Sequence, residues 1–334
     1  MSDVIASGVL ANGLRTDFWD TYAAIRNRQA DSRLSMVMDL GIPATNREHK
    51  FGYIEAAPHF EQWVRGQSIP TDAMDSTDFT VPVFTWGRRV RWHNEDREDD
   101  QTQSLFDIAR QAGQSAGLLP ERFFFDLITG STNTLPAVPL APDGAAMFAA
   151  TDGSGGDRFG ASGGNLLGGS GVASVSAIRT DYYNAIEQWK ALQDGKGQPL
   201  LSDETIDSGV VIVHGATYTE AFEEAFMQRR QGELMASDAA ATPTNLVHDA
   251  SRNVTLWGTQ RISGAEGDDW FMFLKNPPKK ATFFLDRKGI MEESSLRGEN
   301  NGDLMRDTGT EYIQWHSRSG GGIALPFGAM KVNN

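Results

Sequence analysis

Between Leu105 and Phe123 the apolar residues Leu105, Ile108, Ala109, Ala112, Ala116, Leu119 and Phe123 step by three and four, the spacing that lays one side of a helix against a core. No other stretch limits the fold as strongly. The acidic run Glu95, Asp96, Glu98, Asp99, Asp100 stands before it, where a helix dipole favours negative charge, and Gly130 stands where a C-cap glycine belongs. A helix over 99–130 is expected, about 45 Å long if continuous at ~1.5 Å per residue. Pro120 works against continuity, because it removes a backbone donor and should bend or split the helix.

Ahead of this helix, FGYI, HFEQWV, DFTVPVFTW and RRVRWH read as strands, with PTDAMDST as the turn between them. A protruding two-stranded hairpin is the simplest arrangement, and such a hairpin is marginal alone in water. Arg65, Arg88, Arg89 and Arg91 alternate with Trp63, Trp86 and Trp92, and Trp with Arg is the favoured pairing of interface anchors. The segment therefore reads either as a surface that docks on another subunit or as an edge strand whose cations resist aggregation. Further upstream, Phe18, Trp19, Tyr22 and Ile25 form a short amphipathic stripe, which fits a helix on its own core or an arm laid on a neighbour.

Residues 130–176 are dominated by Gly, Pro, Ala and Ser and read as a long flexible loop, or as a segment ordered by contact with something else. Beyond it come an amphipathic helix from Ile178 to Leu192, a buried strand from Val210 to Val213, and a helix from Tyr218 whose Thr217 and Glu220 match a capping box. NVTLW, WFMFL, ATFFL, EYIQWH and GGIALPF supply further strands. The order implies mixed α and β layers.

Candidate chemistry is sparse. The chain of 334 residues has no cysteine, which removes disulfides, thiolate nucleophiles and Cys-ligated zinc. Its six histidines are scattered singly, and no HExxH, GxSxG or GxxxxGK[ST] occurs. The acidic run EDREDD lacks the spacing of a calcium loop. No catalytic residue, cofactor or metal is expected. A net charge of −14 opposes tight wrapping of nucleic acid, which needs clustered cations. No window approaches the roughly 20 apolar residues of a membrane span.

Over about residues 18–330 the chain resembles the Mu-like major head subunit family of tailed-phage capsid proteins. The resemblance is carried by FGYIEAAPHFEQW, by FTWGRRVRWHNEDREDDQTQSLFDIARQAGQSAGLLPERFFFDLITG, by MFAATDG with GNLLGGSG, and by EYIQWHSRSGGGIALP. The middle segment is the most specific, because an aromatic strand runs directly into an acidic helix start and a Pro-containing end. The resemblance implies an α+β fold shared by tailed-phage capsids, herpesvirus shell floors and encapsulins. Its parts would be an N-terminal arm (1–46), an extended hairpin loop (47–96), and a peripheral domain with spine helix and glycine-rich loop (97–175). An axial domain (176–275) and return strands of the peripheral domain (276–334) would follow.

The implied function is a non-enzymatic major capsid protein that self-assembles, through pentamers and hexamers, into the icosahedral head shell around double-stranded DNA held without sequence-specific binding. It would assemble in the host cytoplasm and reside in the virion. The chain opens on Met1 without a long charged coiled coil, so a separate scaffolding protein is expected, with a portal and room for a decoration protein as further partners; no membrane is expected. Trp63, Arg65, Trp86, Arg88, Arg91, Glu98, Asp99 and Asp100 are the expected subunit-interface residues. The competing readings are an encapsulin-like compartment and a soluble α/β enzyme with a glycine-rich active-site loop.

Overall fold

The computed structural model describes residues 7–30, 32–54, 76–93, 104–172, 174–226, 253–263, 267–275, 277, 279–294 and 310–334. Two sheets form the frame. The first has four strands in the order β1 (Met38–Pro43), β9 (Thr282–Ser294), β10 (Thr310–Ile323), β4 (Phe84–His93). The second has five, in the order β5 (Leu166–Gly168), β11 (Ala329–Asn333), β8 (Trp270–Leu274), β6 (Val210–Gly215), β7 (Val254–Thr259). A separate two-stranded ribbon pairs β2 (Glu48–Ile54) with β3 (Ser76–Pro82).

The five-stranded sheet explains the unbroken apolar runs VVIV and WFMFL, because both of its faces are covered. Val210, Ile212, Trp270 and Met272 pack beneath α5 (Val175–Ala191) and α7 (Thr219–Phe226), with Trp189 and Phe222 in the same cluster. Val211, Val213, Phe271 and Phe273 point the other way, to a cluster holding Phe123, Phe124 and Phe125. Helix α6 (Asp203–Asp207) adds Ile206 to the first of these clusters.

The long helix is split where Pro120 stands, into α3 (Ser104–Gly117) and α4 (Leu119–Thr129). Gly130, with a φ of 69°, ends α4 in the left-handed conformation expected of a C-cap glycine. Residues 99–103, the expected helix start, lie outside the described residues. Three consecutive phenylalanines sweep about 200° around α4 at ~100° per residue, so the helix contacts both sheets. Phe123 meets Trp86 at 5.1 Å and Phe284 at 5.6 Å, while Phe124 stacks on Trp257 at 5.5 Å and meets Phe273 at 5.4 Å.

Of the two readings of the N-terminal stripe, the structure takes the first. Helix α1 (Ser7–Ala30) packs on its own subunit against α3, with Phe18 stacked on Trp315 at 4.2 Å. Gly113 and Gly117, one turn apart on α3, permit the approach. A Cβ at Gly113 would lie 2.5 Å from the Phe18 carbonyl oxygen, and one at Gly117 would lie 2.9 Å from the Ile25 side chain. Helix α2 (Arg33–Val37) then leads into β1.

Several sequence-based expectations need correction. The segment 47–96 is not one hairpin: β3 pairs with β2, but β4 leaves it and runs antiparallel to β10, with Phe84 opposite Ser319 and His93 opposite Thr310. Val81 and Val83, on either side of Pro82, are both buried against Phe283 and Leu285, which fixes the departure point. The return strands also divide, since β11 joins the five-stranded sheet beside β8. Residues 216–218 form a 3-10 turn ahead of α7 whose N-cap, Gly215, has no side-chain hydrogen bond, so Thr217 is not the cap.

The glycine-rich segment is the largest departure. Rather than a flexible loop, it closes on Arg158, whose side chain is fully buried. The guanidinium donates to both Asp143 oxygens (2.6 and 3.0 Å), to the carbonyls of Ala146 and Met147, and to Asn165 Oδ1 (each 2.9 Å). Asn165 Nδ2 in turn donates to the carbonyls of Met147, Pro326 and Ala329, binding the loop to the C-terminal strand. Composition alone suggests a linker, and one buried ion pair makes it part of the fold.

Candidate docking surfaces

Strand parity separates the residues expected to act together. On β4, Trp86, Arg88, Val90 and Trp92 share the face turned to α1 and α3, whereas Arg89, Arg91 and His93 share the opposite face. Trp86 donates its indole N–H to the Ser319 carbonyl (3.1 Å), and Trp92 donates to the buried Glu311 (3.1 Å). Val90 and Trp92 complete a core with Phe18, Leu105 and Trp315. Arg88 is exposed and lines a cleft of about 520 Å³ with Phe18, Trp86, Ile108, Arg122 and Trp315. Arg91, also exposed, is on the other side of the sheet. Trp63, Arg65, Glu98, Asp99 and Asp100 lie outside the described residues.

The face carrying Arg91 extends across three strands by register. Arg91 stands opposite Tyr312, Arg89 opposite Gln314, and Thr85 opposite Arg318, which itself pairs with Lys288 on β9. Arg89 stacks on Tyr312 at 4.3 Å and donates to Gln314 Oε1 at 2.6 and 2.9 Å. Glu293 sits on the same face and accepts from Gln314. Tyr312, Arg318 and Lys288 were missed in the sequence. Alternation in EYIQWHSR sets Tyr312, Gln314, His316 and Arg318 on one side of a strand, but nothing local tells which strand lies beside it.

The opposite side of the same strands is closed by a carboxylate hub. Glu292 bonds Arg15 and accepts from the indoles of Trp19 (3.3 Å) and Trp315 (3.2 Å). At the edge of α1, burial raises the Asp286 carboxyl above its usual range against the pull of Arg26, and burial likewise raises Tyr22. Inside the second sheet, His214 stacks on Phe222 at 4.3 Å with Nδ1 against the Gly215 carbonyl at 2.9 Å, and burial pushes its imidazole below the usual range. Among the described residues no three His, Asp or Glu side chains are grouped to hold a metal ion, and no helix is long and apolar enough to cross a membrane.

The pattern of phage capsid proteins matches residues 77–332, from β3 to the last strand. The chain belongs to the phage capsid protein family. No curated protein sequence matches it. The fold of this capsid protein is similar to that of "The capsid of Myoviridae Phage XM1", at 11% identity over 90% of both chains with a TM-score of 0.55. It is similar to the capsid of the cyanophage P-SCSP1u, at 10% identity over 89% of this chain and 86% of that one with a TM-score of 0.54. The mature capsid of bacteriophage PhiM1 gives 10% identity, 90% and 86% coverage, and a TM-score of 0.52. The α+β fold is the tailed-phage capsid fold, and the capsid protein's role is structural.

Proposed function

We propose that this capsid protein is the major subunit of a tailed-phage head of the Mu-like kind, assembling as pentamers and hexamers into an icosahedral shell around double-stranded DNA. The observation that carries the reading is the family match, which takes in the five-stranded sheet, every strand of the four-stranded sheet except β1, and the split long helix. On this reading the β2–β3 ribbon with residues 55–75 is the extended loop, the four-stranded sheet with α1, α3 and α4 the peripheral domain, and the five-stranded sheet the axial domain. Many modest contacts then sum to a stable shell. Trp63, Arg65, Trp86, Arg88, Arg91, Glu98, Asp99 and Asp100 are the proposed interface set. A separate scaffolding protein, a portal and a decoration protein are the proposed partners, with assembly in the host cytoplasm.

The ribbon is the part to test, since two strands alone are marginal in water and gain support from a neighbour. Joining Ile54 to Ser76 through Asn-Gly keeps a hairpin turn while removing 55–75. The expected product is a folded subunit that no longer forms closed particles in sucrose gradients or negative-stain microscopy. Particles at wild-type yield would overturn the ribbon's role. Particles filled with protein rather than DNA would favour an encapsulin-like compartment.

A further inference from the structure

Arg91, Arg318 and Lys288 are exposed and, among the described residues, none has a carboxylate partner. With Arg89 they place four cations against the single carboxylate Glu293 on the solvent face of β4, β10 and β9, in a chain whose net charge is −14. Protection of a sheet edge explains cations on β4. It does not explain Arg318, which lies on an inner strand between Thr85 of β4 and Lys288 of β9. Arg318 and Lys288 are direct cross-strand neighbours, and like charges so placed destabilise a sheet. An arrangement that opposes folding and leaves its cations unpaired fits an anionic partner.

We propose that this basic face is an inter-subunit docking surface that receives carboxylates of a second copy of the same chain. The inference rests on the shell reading above and names the face and its occupant. Charge complementarity selects the occupant: with four cations gathered here, the remainder of every copy is more negative than the whole, and Glu95, Asp96, Glu98, Asp99 and Asp100 put five carboxylates into six residues. In an assembly of identical subunits, a basic face meets mostly acidic surface, which aligns partners before close contact. Arg89, held flat on Tyr312, adds a rigid cation with an aromatic beneath it, a pairing enriched where interfaces bind tightly.

Two measurements decide the matter. Particles assembled from mixed ¹⁴N and ¹⁵N subunits are treated with a zero-length carbodiimide, and peptides joined through Lys288 are read by mass spectrometry. Mixed-isotope pairs linking Lys288 to an Asp or Glu are expected; Lys288 unlinked, or linked within one copy alone, would overturn the proposal. The R91E/R318E variant should lose about tenfold or more in particle yield, as a contact weakened by one decade in affinity would give, with no loss in the melting temperature of the unassembled subunit. Wild-type yield would refute it, as would full yield with reduced DNA content, which would assign the face to the packaged polyanion. Wild-type particles formed in parallel test the shell reading separately.

Discussion

Replacing Arg158 by Met tests whether the glycine-rich segment is built or loose. Methionine keeps most of the length and apolar stem but removes the guanidinium that donates to Asp143, Ala146, Met147 and Asn165. Removing one partner of a buried ion pair costs about 3–5 kcal/mol, chiefly because the other charge is left uncompensated. Here the Asp143 side chain retains 16% exposure and can draw some water, and the Met147 carbonyl keeps its bond from Asn165. The expected loss is therefore near the lower end, about 3 kcal/mol. Urea unfolding of the unassembled subunit, followed by tryptophan fluorescence, would show it as a lower midpoint at unchanged slope. Lysine should rescue little, since one ammonium cannot span a carboxylate bidentately and reach three further acceptors. Asp143→Asn in both backgrounds completes a cycle with an expected coupling of about 1.5–3 kcal/mol. A loss under about 1 kcal/mol for Arg158→Met would mean that the segment is held by something else.

Three other outcomes are expected. Gly113→Ala should destabilise by about 1–2 kcal/mol, because its Cβ meets the Phe18 backbone and the cost of overpacking exceeds the helix-propensity gain; Gly117→Ala, whose Cβ would lie 2.9 Å from Cβ and Cγ2 of the β-branched Ile25, should also destabilise, by about 1 kcal/mol, and unchanged urea midpoints for both would refute the seam. His214 is held neutral by burial, with Glu223 opposing and Arg33 adding to that effect, so the unfolded chain binds more protons below about pH 6.5. Stability should be full above that pH and fall as pH drops toward the lower folded value, and His214→Gln should flatten the fall; equal slopes would discount the histidine. Phe124→Ala, which empties the contact between α4 and the second sheet, should cost about 3–5 kcal/mol in urea unfolding.

Elements were legible where their signal is local. The period of Leu105 to Phe123 gave α3 and α4, Pro120 gave the split, VVIV gave a buried strand and WFMFL a further strand. Pairing was not legible, because register depends on residues hundreds of positions apart: β4 reads as the continuation of a hairpin until Arg88 is found opposite Trp315. Parity within RRVRWH already sets Arg88 and Arg91 on different faces, so a single arginine surface could have been rejected from sequence. Their neighbours Arg318 and Lys288 could not have been named. The Arg158 loop was hidden for a different reason, since Gly and Ser describe backbone freedom while the closure comes from one side chain.

This distribution of charge separates folding from assembly. Arg158 is buried and fully paired, so its loss should appear in the isolated subunit. Arg91 and Arg318 have no carboxylate partner among the described residues, so their reversal removes no intramolecular ion pair described there, and Arg318→Glu relieves repulsion from Lys288. The subunit is therefore expected to keep or gain stability as it loses the capacity to assemble. A protein that used these cations for its own fold would show the two losses together.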